Sequence, residues 1–183
     1  MKRAIFALAA LLMAASMLWA GYLLRGGESK PLPPPPPVAA HKLAALYATA
    51  LPDLDGHIQT LGQWRGKVLV VNYWATWCLP CRDEMPMFSA LQTRYAAHGV
   101  QFVGIADDQV GKVREFVRQT PVAYPLLIGG MDAFGITADF GNAAMGLPFT
   151  IILDRDGQLQ SSALGRVDEA ALTRQLDRLV PLR

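Results

Sequence analysis

An almost unbroken β-branched and aromatic run, Lys67-Val68-Leu69-Val70-Val71-Asn72-Tyr73-Trp74, does most to limit the architectures open to this chain. Such a run predicts a strand buried on both faces, which must be covered by a layer of structure on each side. After Ala75-Thr76-Trp77 comes Cys78-Leu79-Pro80-Cys81, and a helix is predicted over Leu79 to His98, with Gly99 in a C-cap position and Pro86 expected to kink it. The alternation continues. Val100 to Ala106 reads as a second buried strand, Val110 to Gln119 as a helix stopped at Pro121, and Tyr124 to Ile128 as a short strand. Asp132 to Phe140 is a helix or an irregular turn. Phe149 to Leu153 and Gln158 to Ala163, turned by Asp156-Gly157, give a closing hairpin. Asp168 to Val180 is an amphipathic helix with apolar residues at 172, 176, 179 and 180. Ahead of all this, Ala39 to Ala50 is an alanine-rich short helix, and Asp53-Leu54-Asp55-Gly56-His57-Ile58 carries an Asp-Gly hairpin signal. The expectation is a three-layer α/β/α domain with a mixed central sheet and an N-terminal β-hairpin extension.

Cys78 and Cys81 are the only cysteines in the 183 residues. A C-x-x-C between a buried strand and a helix is the position of a dithiol redox motif. A purely stabilising disulfide fits less well, because a loop of four residues contributes only about 2 kcal/mol. Structural zinc wants four ligands. The chain offers two thiols plus His41, His57 and His98, none close in sequence. At a helix N-terminus, unpaired amides and the helix dipole favour thiolate over thiol. Cys78 is therefore expected to be the exposed nucleophile that forms a mixed disulfide, and Cys81 the shielded thiol that resolves it. Leu79 and Pro80 fix the turn between them and help set the redox poise. No metal or cofactor is expected, and Met85 and Met87 read as core residues rather than copper ligands.

What precedes the domain is different in kind. Residues 4–24 hold 19 apolar residues of 21 and no charge, behind Lys2-Arg3 and ahead of Arg25. At about 1.5 Å per residue they span about 31 Å, the thickness of a hydrocarbon core. Residues 1–3 then read as a cytoplasmic n-region and 4–24 as an uncleaved signal anchor, with Trp19 and Tyr22 near its outer end. The competing reading is a signal peptide cleaved near Ala14-Ala15-Ser16. Either one exports the domain, to a bacterial periplasmic face or as a soluble periplasmic protein. Residues 25–42 form a Pro-rich linker, in which Pro31 to Pro37 would make an extended rod of about 20 Å, holding a domain of residues 43–183 off the membrane. Residues 1–40 carry a net +3 and the remainder a net −1, so no basic face supports nucleic-acid binding.

The run from Val70 to Pro86, through Trp77-Cys78-Leu79-Pro80-Cys81-Arg82-Asp83-Glu84, resembles the membrane-anchored thioredoxin-like proteins of the TlpA/ResA group. Gly146-Leu147-Pro148-Phe149-Thr150 is similar to that group's cis-proline loop, and Asp53-Leu54-Asp55-Gly56 to its N-terminal hairpin. The resemblance covers about residues 50–180 and implies a thioredoxin fold. It also implies that Pro148 forms a cis peptide bond beside the disulfide and that Leu147 offers backbone hydrogen bonds to an extended substrate. Trp77 would shield the disulfide and meet partners, with core packing as the plainer alternative. Glu84, on the same helical side as Cys81, matches an acid that shuttles protons in relatives; a surface ion pair with Arg82 or Arg94 is the plainer alternative. Asn72 stands where cytosolic thioredoxins keep a buried acid. The implied activity is that of an exported thiol–disulfide oxidoreductase, a protein-disulfide reductase. It would draw electrons from a membrane carrier of the DsbD/CcdA type and act on substrate proteins with disulfides or thiols, including those of cytochrome c biogenesis.

Three rivals stand beside this reading. A disulfide oxidant or isomerase shares the motif spacing. A thiol peroxidase needs Pro-x-x-x-Thr-x-x-Cys, and Val71 and Ala75 occupy the Pro and Thr positions here. A copper chaperone would bring a distant histidine to the thiols, and Pro148 argues against it.

Overall fold

A computed structural model describes residues 30–180 of the protein. The n-region and the anchor expected at 4–24 lie outside the described residues. Among the described residues, no helix is long and apolar enough to cross a membrane. The chain runs α1 (Ala40–Ala48), β1 (Ala50–Pro52), β2 (Ile58–Thr60), β3 (Val68–Trp74), α2 (Leu79–Tyr95), β4 (Val100–Ala106) and α3 (Val110–Gln119). It continues through β5 (Leu126–Ile128), α4 (Gly130–Gly135), β6 (Phe149–Leu153), β7 (Leu159–Leu164) and α5 (Glu169–Leu179).

β3 is buried along its whole length and forms the centre of a five-stranded sheet of order β5-β4-β3-β6-β7. β4 lies parallel to it, with Val68 opposite Val100, and β6 antiparallel, with Tyr73 opposite Phe149. Strand alternation sends Val68, Val70 and Trp74 into one core and Leu69, Val71 and Tyr73 into the other. The first core takes Met85 and Phe88 from α2, Val113 from α3, Leu172 and Leu176 from α5, and both cysteines. The second takes Leu43 and Leu46 from α1 and Phe134 from α4. These are the three layers that the doubly buried strand demands, in a thioredoxin-like fold. β1 and β2 pair antiparallel as a separate hairpin, tied to β5 by a bridge between Asp53 and Leu127.

Local signals act where expected. Asp168 caps α5, its carboxylate accepting from the Ala171 N–H at 2.9 Å. The C-terminal part of the predicted 79–98 helix is a 3-10 turn, Ala96–His98, closed by Gly99 at φ 81. The α2 helix runs unbroken through Pro86, where the missing N–H leaves only the Arg82 carbonyl without its helical partner. Asp132 to Phe140 resolves into α4 and a 3-10 segment, Ile136–Phe140.

The Pro-rich stretch differs from the free rod expected of it. From Pro31 onward it belongs to the compact unit of the domain. Leu32 packs against the first core, Val38 against the second, and the Ser161 hydroxyl of β7 donates to the Pro33 carbonyl at 2.8 Å. The proline segment thus lies against the domain at edge strand β7, and α1 begins at Ala40 within the expected linker. Prolines have no N–H to offer a sheet edge, so the contact is made by side chains and one carbonyl.

Candidate active site

The loop leaving β3 returns the chain so that Cys78 becomes the N-cap of α2. The Cys78 N–H donates to the Ala75 carbonyl at 3.2 Å, and its Sγ accepts from the Cys81 N–H at 3.3 Å. The two sulfurs are joined in a disulfide with Cα atoms 5.3 Å apart. Cys81 is fully enclosed, and Cys78, expected to be exposed, is itself buried, at 6% exposure. Trp77 is 66% exposed and outside the core, which removes the packing alternative. Leu79 and Pro80, the first two helical residues, are exposed beside the sulfurs.

Thr76 anchors this loop by donating to Asp108, just beyond β4. Burial raises the Asp108 pKa, but the Thr76 hydroxyl, the Gln109 N–H and Lys112 at 3.5 Å outweigh it and hold the carboxyl below its ordinary value. Nothing in the spacing of Thr76 and Asp108 points to this pairing.

Glu84 is not the surface ion-pair partner that its charge suggests. It is 1% exposed, with Oε1 accepting from the Asn72 amide at 3.0 Å and Oε2 from the Val167 N–H at 3.1 Å. The Asn72 amide also donates to Thr150 Oγ1 at 3.1 Å. Desolvation pushes the Glu84 pKa up to about 7 against the opposing pull of Val167, Asn72 and the Arg166 charge. Thr150 and the backbone of Val167 were not among the expected site residues; only the fold brings them to residue 84.

Leu147–Pro148 is a cis peptide bond, as the resemblance implies, and the Pro148 carbonyl accepts from Gly165 at 2.8 Å. Leu147 packs partly into both cores. Met85 is enclosed and Met87 packs against the same core.

A disulfide offered from the N-terminus of the helix that follows the central strand is the working part of thioredoxin-fold thiol–disulfide oxidoreductases, and this molecule is of that class. The Redoxin family matches residues 39–176. The thioredoxin-like protein YneN of Bacillus subtilis is 36% identical over 132 residues, 70% of this chain and 74% of that protein. The thiol-disulfide oxidoreductase ResA of Geobacillus kaustophilus is 30% identical over 135 residues, 72% of this chain and 74% of the relative. Among solved structures, MTB dsbF in its mixed oxidized and reduced forms aligns with TM-score 0.64 and 30% identity, over 74% of this chain and 97% of that one. The chain belongs to the Redoxin family and is a thiol–disulfide oxidoreductase of the ResA type.

Proposed function

We propose that the protein is an exported reductase of protein disulfides, held at the bacterial inner membrane by residues 4–24 and recharged by a membrane electron donor of the DsbD/CcdA type. The observation that carries the reading is an N-capping sulfur on Cys78 combined with a carboxyl, Glu84, buried in the helical turn after Cys81. In the reduced enzyme the Cys78 thiolate attacks one sulfur of a substrate disulfide. That bond breaks, a mixed disulfide forms, and the departing substrate thiolate takes up a proton. Cys81 gives its proton to the Glu84 carboxylate and attacks the Cys78 sulfur. The enzyme disulfide closes, the second substrate sulfur leaves as a thiolate and takes the proton held by Glu84, and two electrons have passed to the substrate.

A carboxyl titrating near neutrality suits that proton transfer. Trp77, Leu147 and Pro148 form the surface that receives the substrate, and Leu79 and Pro80 tune the potential through the turn between the sulfurs. Its substrates are proteins with disulfides or thiols in general; cytochrome c biogenesis is one process such a reductase could serve, and Gly146-Leu147-Pro148-Phe149 in place of the acidic loop of the cytochrome-maturation branch favours the general role.

The deciding measurement is the reduction potential of the Cys78–Cys81 pair, by equilibration of the purified chain against a defined thiol buffer. A value near about −270 mV supports a reductase that needs a membrane electron supply. A value near about −120 mV means a disulfide donor and reverses the direction of electron flow.

A further inference from the structure

The loop between the 3-10 segment Ile136–Phe140 and β6 holds a buried polar side chain that the exchange chemistry does not use. Asn142 is 1% exposed. Its Nδ2 donates to the Gly146 carbonyl at 3.0 Å and to Thr137 Oγ1 at 3.3 Å, and its Oδ1 accepts from the Gly146 N–H at 2.9 Å. Its backbone is held too, the N–H donating to the Thr137 carbonyl at 3.0 Å and the carbonyl accepting from Met145 at 3.0 Å. One side chain therefore grips both backbone polar groups of Gly146, the residue before Leu147–Pro148.

Two further observations show how tightly that loop is fixed. A Cβ on Gly146 would stand 2.9 Å from Leu164 Cδ1 of β7, so the backbone is also pressed from the sheet side. Met145 sits at φ 49, the one non-glycine residue with positive φ among the described residues, in a conformation that surroundings must enforce. The cage ends abruptly at Leu147. Neither its N–H nor its carbonyl has a hydrogen-bond partner among the described residues.

We infer that Asn142 is a positioning residue for the partner protein. By fixing Gly146 it holds the unpaired Leu147 backbone as a short, ordered edge to which an extended segment beside the partner's disulfide adds by main-chain pairing. Asn142 touches neither sulfur, so its effect falls on binding and not on the exchange step. An edge already ordered before binding does not have to be ordered by the partner, which is where the affinity comes from. The inference rests on the reading of Leu147 and Pro148 as substrate surface.

The test uses the full-length chain, returned to its reduced form after each turnover by reduced glutathione, and follows reduction of a linear peptide dimer joined by one disulfide, with the rate in glutathione alone subtracted. Wild type, Asn142→Ala and Thr137→Val are compared, each checked for folding by circular dichroism. Thr137→Val keeps the shape but removes the Oγ1 acceptor, together with the hydroxyl's own donation to the Phe134 carbonyl at 2.7 Å, and it stands in if Asn142→Ala does not fold. KM is expected to rise about tenfold in Asn142→Ala, equivalent to about 1.4 kcal/mol. A rise of about threefold is expected in Thr137→Val, the lost hydrogen bond to Asn142 being worth about that much, while the bond to Phe134 does not touch the loop. In both, kcat and the position of the glutathione equilibrium stay within about twofold of wild type. An unchanged KM in a folded variant overturns the role of Asn142. So does a joint shift of KM, kcat and the glutathione equilibrium, which signals general loosening. A wild-type enzyme that fails to reduce the peptide at all overturns the substrate reading itself, and the inference with it.

Discussion

Two adjacent rows of residues cross the centre of the sheet, one on each face, and they are built from opposite materials. On the disulfide side, Thr150, Asn72 and Gly104 lie in register across β6, β3 and β4. One residue further along, on the far side, the row is Phe149, Tyr73 and Ile105. The far row is continuous apolar packing. Tyr73 meets Phe134 edge-on with ring centroids 5.1 Å apart, and Phe149 lies 6.4 Å away. The near row gives up that packing for two hydrogen-bonding side chains beneath a carboxyl. It also carries a glycine whose Cβ would stand 2.5 Å from Leu126 Cδ2 and 3.1 Å from the Trp74 indole nitrogen. Three buried polar atoms without a protein partner among the described residues, Asn72 Oδ1, Trp74 Nε1 and the Tyr124 hydroxyl, belong to the disulfide side; the Tyr73 hydroxyl belongs to the other. The far face holds the fold together. The near face spends stability on keeping an ionisable group beside the dithiol.

If that division is right, substitutions on the two faces separate activity from stability. The largest effect is expected at the dithiol. Cys81→Ser leaves Cys78 able to attack but unable to be released, so turnover with a protein disulfide falls to background while a mixed disulfide accumulates, visible by intact mass. Continued turnover would mean that Cys81 does not resolve the intermediate. Loss of the four-residue loop closure costs only about 2 kcal/mol.

On the far face, Phe134→Ala removes a ring that packs on Tyr73 and is expected to lower the unfolding free energy by about 4 kcal/mol in urea titration. The fraction that remains folded should keep its kcat. A parallel fall in kcat would show that the two faces are coupled and the division false.

Glu84→Gln separates the two faces through pH. The native carboxyl titrates near 7 and the unfolded one near 4.5, so between those values the folded state binds more protons than the unfolded state. Wild-type stability is therefore full below about pH 4.5 and falls by about 3 kcal/mol as pH rises through 7. Urea midpoints of the oxidised protein, taken from pH 4 to 8, should trace that fall in wild type and lie flat through the window in Glu84→Gln. A wild-type curve that rises with pH would mean that Glu84 is held as a carboxylate.

The sequence made this division only half legible, for a physical reason. Strands β3, β4 and β6 and the helix after Cys78 announce themselves through local runs and turns, with Gly99 past the end of that helix. The C-x-x-C is readable because its spacing is short, whereas the cis-proline loop is readable only through the family resemblance, since Pro148 by itself fits an ordinary turn. Glu84 is singled out only by the resemblance, and its burial is not readable at all, because a charged residue on a helix reads as solvated until partners 12 and 83 residues away, Asn72 and Val167, close over it. Asn142 looks like a turn residue after Gly141, and the prolines of 31–37 look like a spacer. What each does depends on surfaces that no local pattern describes.

Trp77 sharpens the comparison at its weakest point, since it sits beside the near face but belongs to neither core. An exposed tryptophan is informative in a way that an exposed leucine is not, because so large an apolar surface is rarely left in water without use. It is 66% exposed and part of neither core, so its truncation removes little buried packing. Trp77→Ala should therefore change the unfolding free energy by no more than about 0.5 kcal/mol. The same substitution should raise KM for a protein disulfide about fivefold, since tryptophan is the residue most often found to anchor an interface. The two measurements pull in opposite directions if the assignment is wrong. A clear loss of stability with an unchanged KM would make Trp77 a cover for the near core, and the substrate surface would then rest on the cis-proline loop alone.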